Sequence, residues 1–272
     1  MFACFHGATT LPYSLEQDIA AAARAGFTAL EIWGDKLDRF LQGRSIPRLA
    51  EMLGGYGLEP AAIDEITLDL SSDEPLASAR PLLVHYGQVA MGIGCDTVLL
   101  AVRGQPRGLS ASQALNLLAK LMLPLCATAA RYGLRLALEP RAGEPPVSGP
   151  QEALEAIEIS RQANLGLSWD FFHSYKAGVS LETLRRIPAN RLWLVHASDA
   201  PDKDPATLVD SGRIWPGRGV LPLNEYFAIL REMRYGGPVS VLVPNPEYAV
   251  RDPEELAREA YESLEVFMPL RV

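Results

Sequence analysis

Histidine and cysteine are scarce in this chain: 272 residues carry four His and three Cys. The cysteines, Cys4, Cys95 and Cys126, are odd in number and show no Cys-x-x-Cys spacing. That excludes a disulfide framework and a cysteine-rich zinc module, and it fits a reduced, cytoplasmic protein with buried free thiols. Basic residues are outnumbered, 25 Lys and Arg against 33 Asp and Glu, which leaves a net charge of −8. Nucleic-acid binding depends on Lys and Arg neutralising phosphates, so this balance argues against it. No apolar run reaches the roughly 18 residues of a membrane span. The start, Met1-Phe2-Ala3-Cys4-Phe5-His6, lacks the basic region of a signal peptide. Interior Ser/Gly linkers, composition shifts and repeats are also missing. The expected partner is a small molecule, with no nucleic acid and no membrane; a homo-oligomer is compatible with the composition.

What the chain does have is apolar content, 48% of its residues, enough for a sizeable core. Short apolar runs alternate with longer amphipathic ones. Strands are expected at Phe2–His6, Thr28–Ile32, Glu59–Asp64, Thr97–Val102, Leu134–Glu139, Leu165–Asp170, Leu192–His196 and Pro238–Val243. Helical patterns lie between them at Leu15–Ala25, Ile46–Tyr56, Pro75–Met91, Ser110–Tyr132, Gln151–Arg161, Leu223–Arg234 and Pro253–Phe267. Ser14 stands three residues before Gln17 in a capping-box spacing, and Gly26 and Gly133 mark helix stops. Such alternation implies a parallel sheet, and eight strands predict closure into a single (β/α)8 TIM barrel, residues 1–272.

Five of these strands end in a residue able to do chemistry: His6, Asp64, Glu139, Asp170 and His196. A barrel gathers its strand C-termini on one face, so residues far apart in sequence become neighbours there. Glu139, Asp170 and His196 each follow an apolar strand directly. Burying such groups is costly unless they are paired or bind a cation. Helix caps or arginine partners explain any one of them alone. Together, two carboxylates and an imidazole form a mixed oxygen and nitrogen set suited to Mn²⁺, Zn²⁺, Co²⁺ or Fe²⁺.

The ordered motifs Cys4-Phe5-His6-Gly7-Ala8-Thr9-Thr10, Glu31-Ile32, Leu138-Glu139, Asp170-Phe171-Phe172-His173, His196-Ala197-Ser198-Asp199, Arg213-Ile214-Trp215-Pro216-Gly217-Arg218-Gly219 and Asn245-Pro246-Glu247-Tyr248 resemble the xylose-isomerase-like sugar isomerase/epimerase superfamily. Within it the chain is most similar to the inosose (2-keto-myo-inositol) isomerases of inositol catabolism. The resemblance implies a divalent metal (Mn, Zn, Co, Mg or Fe) held by Glu139, Asp170 and His196. It also implies proton transfer between neighbouring carbons of a keto-sugar, inosose or related polyhydroxy compound through an enediolate. A fourth ligand, Glu, belongs at the end of Val239-Ser240-Val241-Leu242, where this chain has Leu242. That leucine removes one ligand and half of an acid/base pair, leaving Glu139 as ligand and base.

Asp64, in Ala61-Ala62-Ile63-Asp64-Glu65, is the leading replacement carboxylate, with strand alternation turning Asp64 toward the pocket and Glu65 away, or the reverse. Glu247 is a lesser one. The resemblance places His173 and Arg213 on substrate oxygens. His6 either donates to a substrate hydroxyl or fills the barrel floor beside Glu31; Asp199 either orients His196 or closes its loop. Arg218 is either solvated or welcomes an anion. Trp33 is expected to line the pocket, and Trp169 the wall. The alternatives to an isomerase are a metal-dependent lyase of the 3-dehydroshikimate dehydratase type and a non-catalytic polyol-binding relative. The DNA-repair endonucleases of the superfamily, rich in His ligands and basic surface, are excluded by four His and the acidic charge.

Overall fold

A computed structural model describes residues 1–268. Eight parallel strands close into a barrel in sequence order. They are β1 Phe2–His6, β2 Ala29–Trp33, β3 Glu59–Asp69, β4 Thr97–Arg103, β5 Arg135–Glu139, β6 Leu165–Asp170, β7 Leu192–Ala197 and β8 Pro238–Val241. The helices are α1 Leu15–Ala25, α2 Gly34–Leu41, α3 Ile46–Tyr56, α4 Leu76–Ile93, α5 Ala111–Ala130, α6 Pro150–Ser160, α7 Phe171–Lys176, α8 Leu181–Arg185, α9 Leu223–Glu232 and α10 Pro253–Glu265. The expected (β/α)8 barrel is therefore present, with α2, α7 and α8 as helices that hydrophobic periodicity did not pick out. All three are eight residues or shorter, too short for a periodic stripe to register. The capping box at Ser14 and Gln17 is formed, and Gly26 caps α1 in the left-handed conformation. All three cysteines are free and buried.

One helix, α5, has the length and mean hydropathy of a span, although Ser112, Gln113, Asn116 and Lys120 interrupt its apolar run. Leu118, Met122 and Leu125 of α5 are nonetheless buried in the core of the barrel, which accounts for their character.

Alternation along each strand sorts the barrel interior into layers. The lower layer is small or apolar, with Cys4, Ala29, Ala62, Leu99, Ala137, Ser168, Leu194 and Ser240, all buried. Two residues further along stand His6, Glu31, Asp64, Ala101, Glu139, Asp170, His196 and Leu242. The mouth layer is thus polar except at β4 and β8. On β8 the ladder ends at Val241, earlier than the expected Val243. The Leu242 N–H bonds Ala197 O, and the Thr9 hydroxyl bridges Val241 O at 2.9 Å and Val243 N at 3.1 Å. These contacts fix Leu242, half-buried, where the resemblance expects a glutamate.

β3 departs most from expectation. It runs on to Asp69, so Asp64 lies inside a strand, and its pairing with β4 shifts register between Ile63 and Ile66. Such an irregularity re-aims side chains. Asp64 and Glu65 accordingly both reach the mouth, contrary to the alternation expected of them.

Candidate active site

His196 is the hub. Fully buried at the end of β7, it pairs in register with Asp170 on β6 and Ser240 on β8. Its Nδ1 lies 2.6 Å from Glu139 Oε1 and 3.6 Å from Asp170 Oδ2. Its Nε2 lies 3.1 Å from both oxygens of Glu31, a carboxylate with no exposure at all. Burial alone would lower the imidazole pKa, but Glu31 and Glu139 raise it well above the ordinary value. A doubly protonated ring, donating to a carboxylate on either side, satisfies this geometry.

Each carboxylate is gripped from behind. The second oxygen of Glu139 accepts from Arg141 Nε at 2.7 Å, and Arg141 also pairs with Glu65. Burial would raise the Glu139 carboxyl; Arg141 and His196 instead hold it far below its usual range. Asp170 caps α7 by accepting the His173 N–H at 2.8 Å through Oδ1. Its Oδ2 accepts from Arg213 Nη1 at 2.7 Å. Here too burial raises, while Arg213 and His173 lower, and the carboxyl sits well below its usual range.

The guanidinium of Arg213 is buried, 4.4 Å above the Phe172 ring, and its remaining nitrogens go to Asp210. The residue expected on substrate oxygens is thus placed behind Asp170. His173 is buried; its Nε2 is 3.4 Å from Asp210, and its Nδ1 has no hydrogen-bond partner among the described residues. Asp199 closes the loop: its carboxylate accepts the N–H groups of Ala200, Gly217, Gly219 and Leu221. Gly219 is glycine for a plain reason, since a Cβ there would collide with Ala200 O.

Trp33 pairs in register with Asp64, one layer above Glu31. It lines an open hollow of about 600 Å³ with Leu11, Pro12, Asp35, Asp38, Arg39 and Ala249. Trp169 is buried wall, donating to Ser174 Oγ at 3.0 Å. Arg218 and Glu247 are both exposed, away from the ligand set.

Glu139, Asp170 and His196 offer donor atoms within 4.8 Å of one another, as a shared cation requires. His6, Glu31 and His196 meet the same distance test, but proton placement argues against them. His6 Nδ1 accepts the Ala8 N–H at 2.9 Å, so the ring proton is on Nε2, the nitrogen that would have to ligate. His196 Nε2 likewise donates to Glu31. That bond leaves Nδ1 as the nitrogen free to ligate once its proton is lost, the usual arrangement behind a metal-binding histidine. Charge supports the first set as well. Among the described residues, six carboxylates (Glu31, Asp64, Glu65, Glu139, Asp170 and Asp210) connect through this network to two guanidiniums, Arg141 and Arg213, and the His196 ring. Glu65 shows the strain of that excess, its carboxyl pushed up by burial and by Asp64.

Sequence reasoning named the three convergent residues Glu139, Asp170 and His196 but missed Arg141, Asp210 and the role of Glu31. For Glu31 a signal existed, an acid within the apolar run Ala29-Leu30-Glu31-Ile32. Arg141 and Asp210 lie in loops whose composition is unremarkable for surface turns.

A family model described as xylose isomerase-like TIM barrel matches residues 19–266. An inosose isomerase of Bacillus velezensis is 28% identical over 96% of this chain and 95% of its own. A 3-dehydroshikimate dehydratase of Pseudomonas aeruginosa is 28% identical over 87% of this chain, which spans 36% of that longer protein. Among solved structures, the IolI protein with a bound zinc atom superposes with a TM-score of 0.91 at 24% identity, covering 98% of each chain.

Proposed function

Because the chain belongs to the xylose isomerase-like TIM barrel family, we propose that it is a metal-dependent isomerase or epimerase. It would move a proton between adjacent carbons of a keto-sugar, an inosose or a related polyhydroxy compound. The observation that carries this reading is the cation deficit at the mouth: three convergent donors inside a network of six carboxylates and two guanidiniums. Glu139 Oε1, Asp170 Oδ2 and His196 Nδ1 would hold a divalent ion, displacing the Nδ1 proton. Bound there, the ion would polarise a substrate carbonyl and lower the barrier to losing a proton from the carbon beside it.

The chain's own residues define the rest. Arg141 holds Glu139 and Arg213 holds Asp170, so neither carboxylate turns to meet a substrate. With Leu242 just past β8, the residue taking the proton is Asp64, whose carboxylate lies 3.1 Å from His6 and whose side chain is 10% exposed. Arg141 blunts the basicity of Glu139, which leaves Glu139 as a ligand. Leu242 closes the β8 side with an apolar wall. A lyase of the 3-dehydroshikimate dehydratase type is the second reading, favoured by the dehydratase relative and by the leucine. Both begin with loss of a proton beside a carbonyl.

The test is purified protein with added Mn²⁺ or Zn²⁺ and an inosose in D₂O. Deuterium entering the carbon beside the carbonyl, with the compound's mass otherwise unchanged, is the expected outcome. Loss of water from 3-dehydroshikimate without such exchange would favour the lyase, and neither reaction would remove the enzymatic reading.

A further inference from the structure

His6 and Asp64 present one hydrogen-bond donor and one acceptor that the described residues leave unmatched. His6 is fully buried at the end of β1, and its Nδ1 accepts the Ala8 N–H, so Nε2 carries the proton. That N–H lies 3.1 Å from Asp64 Oδ2 and 3.7 Å from Glu31 Oε1, yet it is aligned for a hydrogen bond with neither. Asp64 Oδ1 is buried and has no donor. Buried polar atoms are rarely left so. Two of them, of opposite kind and on adjoining side chains, describe the complement of a group that accepts and donates at once.

A hydroxyl does both: its oxygen accepts from Nε2–H while its proton goes to Asp64 Oδ1. A carbonyl would leave Asp64 unmatched. A phosphate or carboxylate would meet one N–H and the carboxylates of Asp64 and Glu31, a repulsive setting in a buried site. We propose that His6 and Asp64 together read one uncharged hydroxyl of the substrate. The part of the substrate lying against β1 and β3 is therefore a neutral polyol segment, neither a phosphate ester nor a sugar acid at that carbon. This rests on the polyol reading above and narrows it.

The experiment is titration calorimetry of the metal-loaded protein with myo-inositol and with a series of deoxy-inositols, each lacking one hydroxyl. The proteins are wild type, His6→Phe, Asp64→Leu and the double variant. Asp64→Asn, which keeps an acceptor oxygen, serves as the conservative control for folding. Each single variant is expected to lower myo-inositol affinity about tenfold, the weight of one net hydrogen bond. The double variant should lose about tenfold as well, because both side chains hold the same hydroxyl. One deoxy-inositol should bind all of these proteins alike, and Asp64→Asn should recover part of the loss. Additive losses in the double variant, or variants that match wild type, overturn the inference and leave the polyol reading standing. Wild type that binds none of the polyols overturns both.

Discussion

Replacing Lys36 with methionine tests how the scaffold beneath the mouth is held. Lys36 is 1% exposed, and its Nζ contacts Asp18 Oδ1 at 2.8 Å, Asp18 Oδ2 at 2.7 Å and Thr10 O at 2.7 Å. Asp18, at 0% exposure, also accepts from the Thr10 hydroxyl. Removing one partner of a buried pair strands the other charge, a loss of about 3–5 kcal/mol. For a chain of this size that corresponds to a melting temperature lower by roughly 6–15 °C. The effect depends on pH. Burial already pushes the Asp18 carboxyl from 3.8 up to about 6, against the pull of Lys36. A raised folded-state pKa makes the folded state hold the proton more tightly, so this stability contribution is complete below about pH 4 and is lost as pH rises through 6. Without Lys36 the carboxyl moves higher still, so the deficit of Lys36→Met against wild type should be small near pH 4.5 and full near pH 8. The double variant Lys36→Met with Asp18→Leu should recover most of the loss, since an apolar pair of similar volume fills the same space. Thermal melts of the three proteins at both pH values decide it. A deficit that is equal at the two pH values, or a double variant worse than the single, refutes the reasoning.

Restoring the residue expected at the end of β8, Leu242→Glu, should tighten metal binding about tenfold or more through an added anionic ligand; titration with Zn²⁺ checks it, and unchanged affinity would show that position 242 does not face the metal. Asp64→Asn should abolish proton exchange in D₂O while leaving metal content intact, and an active variant would remove Asp64 as the base. Arg213→Met should weaken metal binding about 10- to 100-fold by freeing Asp170, an effect read by metal titration without substrate; if only substrate affinity changes, Arg213 binds substrate after all.

The barrel was legible because its strands are apolar runs of near-uniform spacing, and β1, β6, α1 and α3 occur at the expected bounds. The convergence of Glu139, Asp170 and His196 was legible for a related reason: each ends an apolar strand, and a barrel gathers its strand ends at one mouth. What was hidden depends on contacts between distant loops. Arg141 follows Glu139 by two residues in a Pro- and Gly-rich turn, and only the fold shows that it spans to Glu65 on β3. Arg213 was expected on substrate oxygens, and its bonds to the buried Asp170 and to the exposed Asp210 depend on loop contacts that local sequence does not show. The bulge in β3, which turns both Asp64 and Glu65 to the mouth, arises from pairing with β4 and leaves no trace in local pattern.

The central claim is that Glu139, Asp170 and His196 hold one divalent ion. Metal content by mass spectrometry, on protein dialysed against Zn²⁺ and then against metal-free buffer, tests it in wild type and in Glu139→Gln, Asp170→Asn and His196→Ala. The account predicts about one equivalent in wild type and a sharp loss in each variant. Equal metal content in all four proteins, or none in wild type, would contradict it.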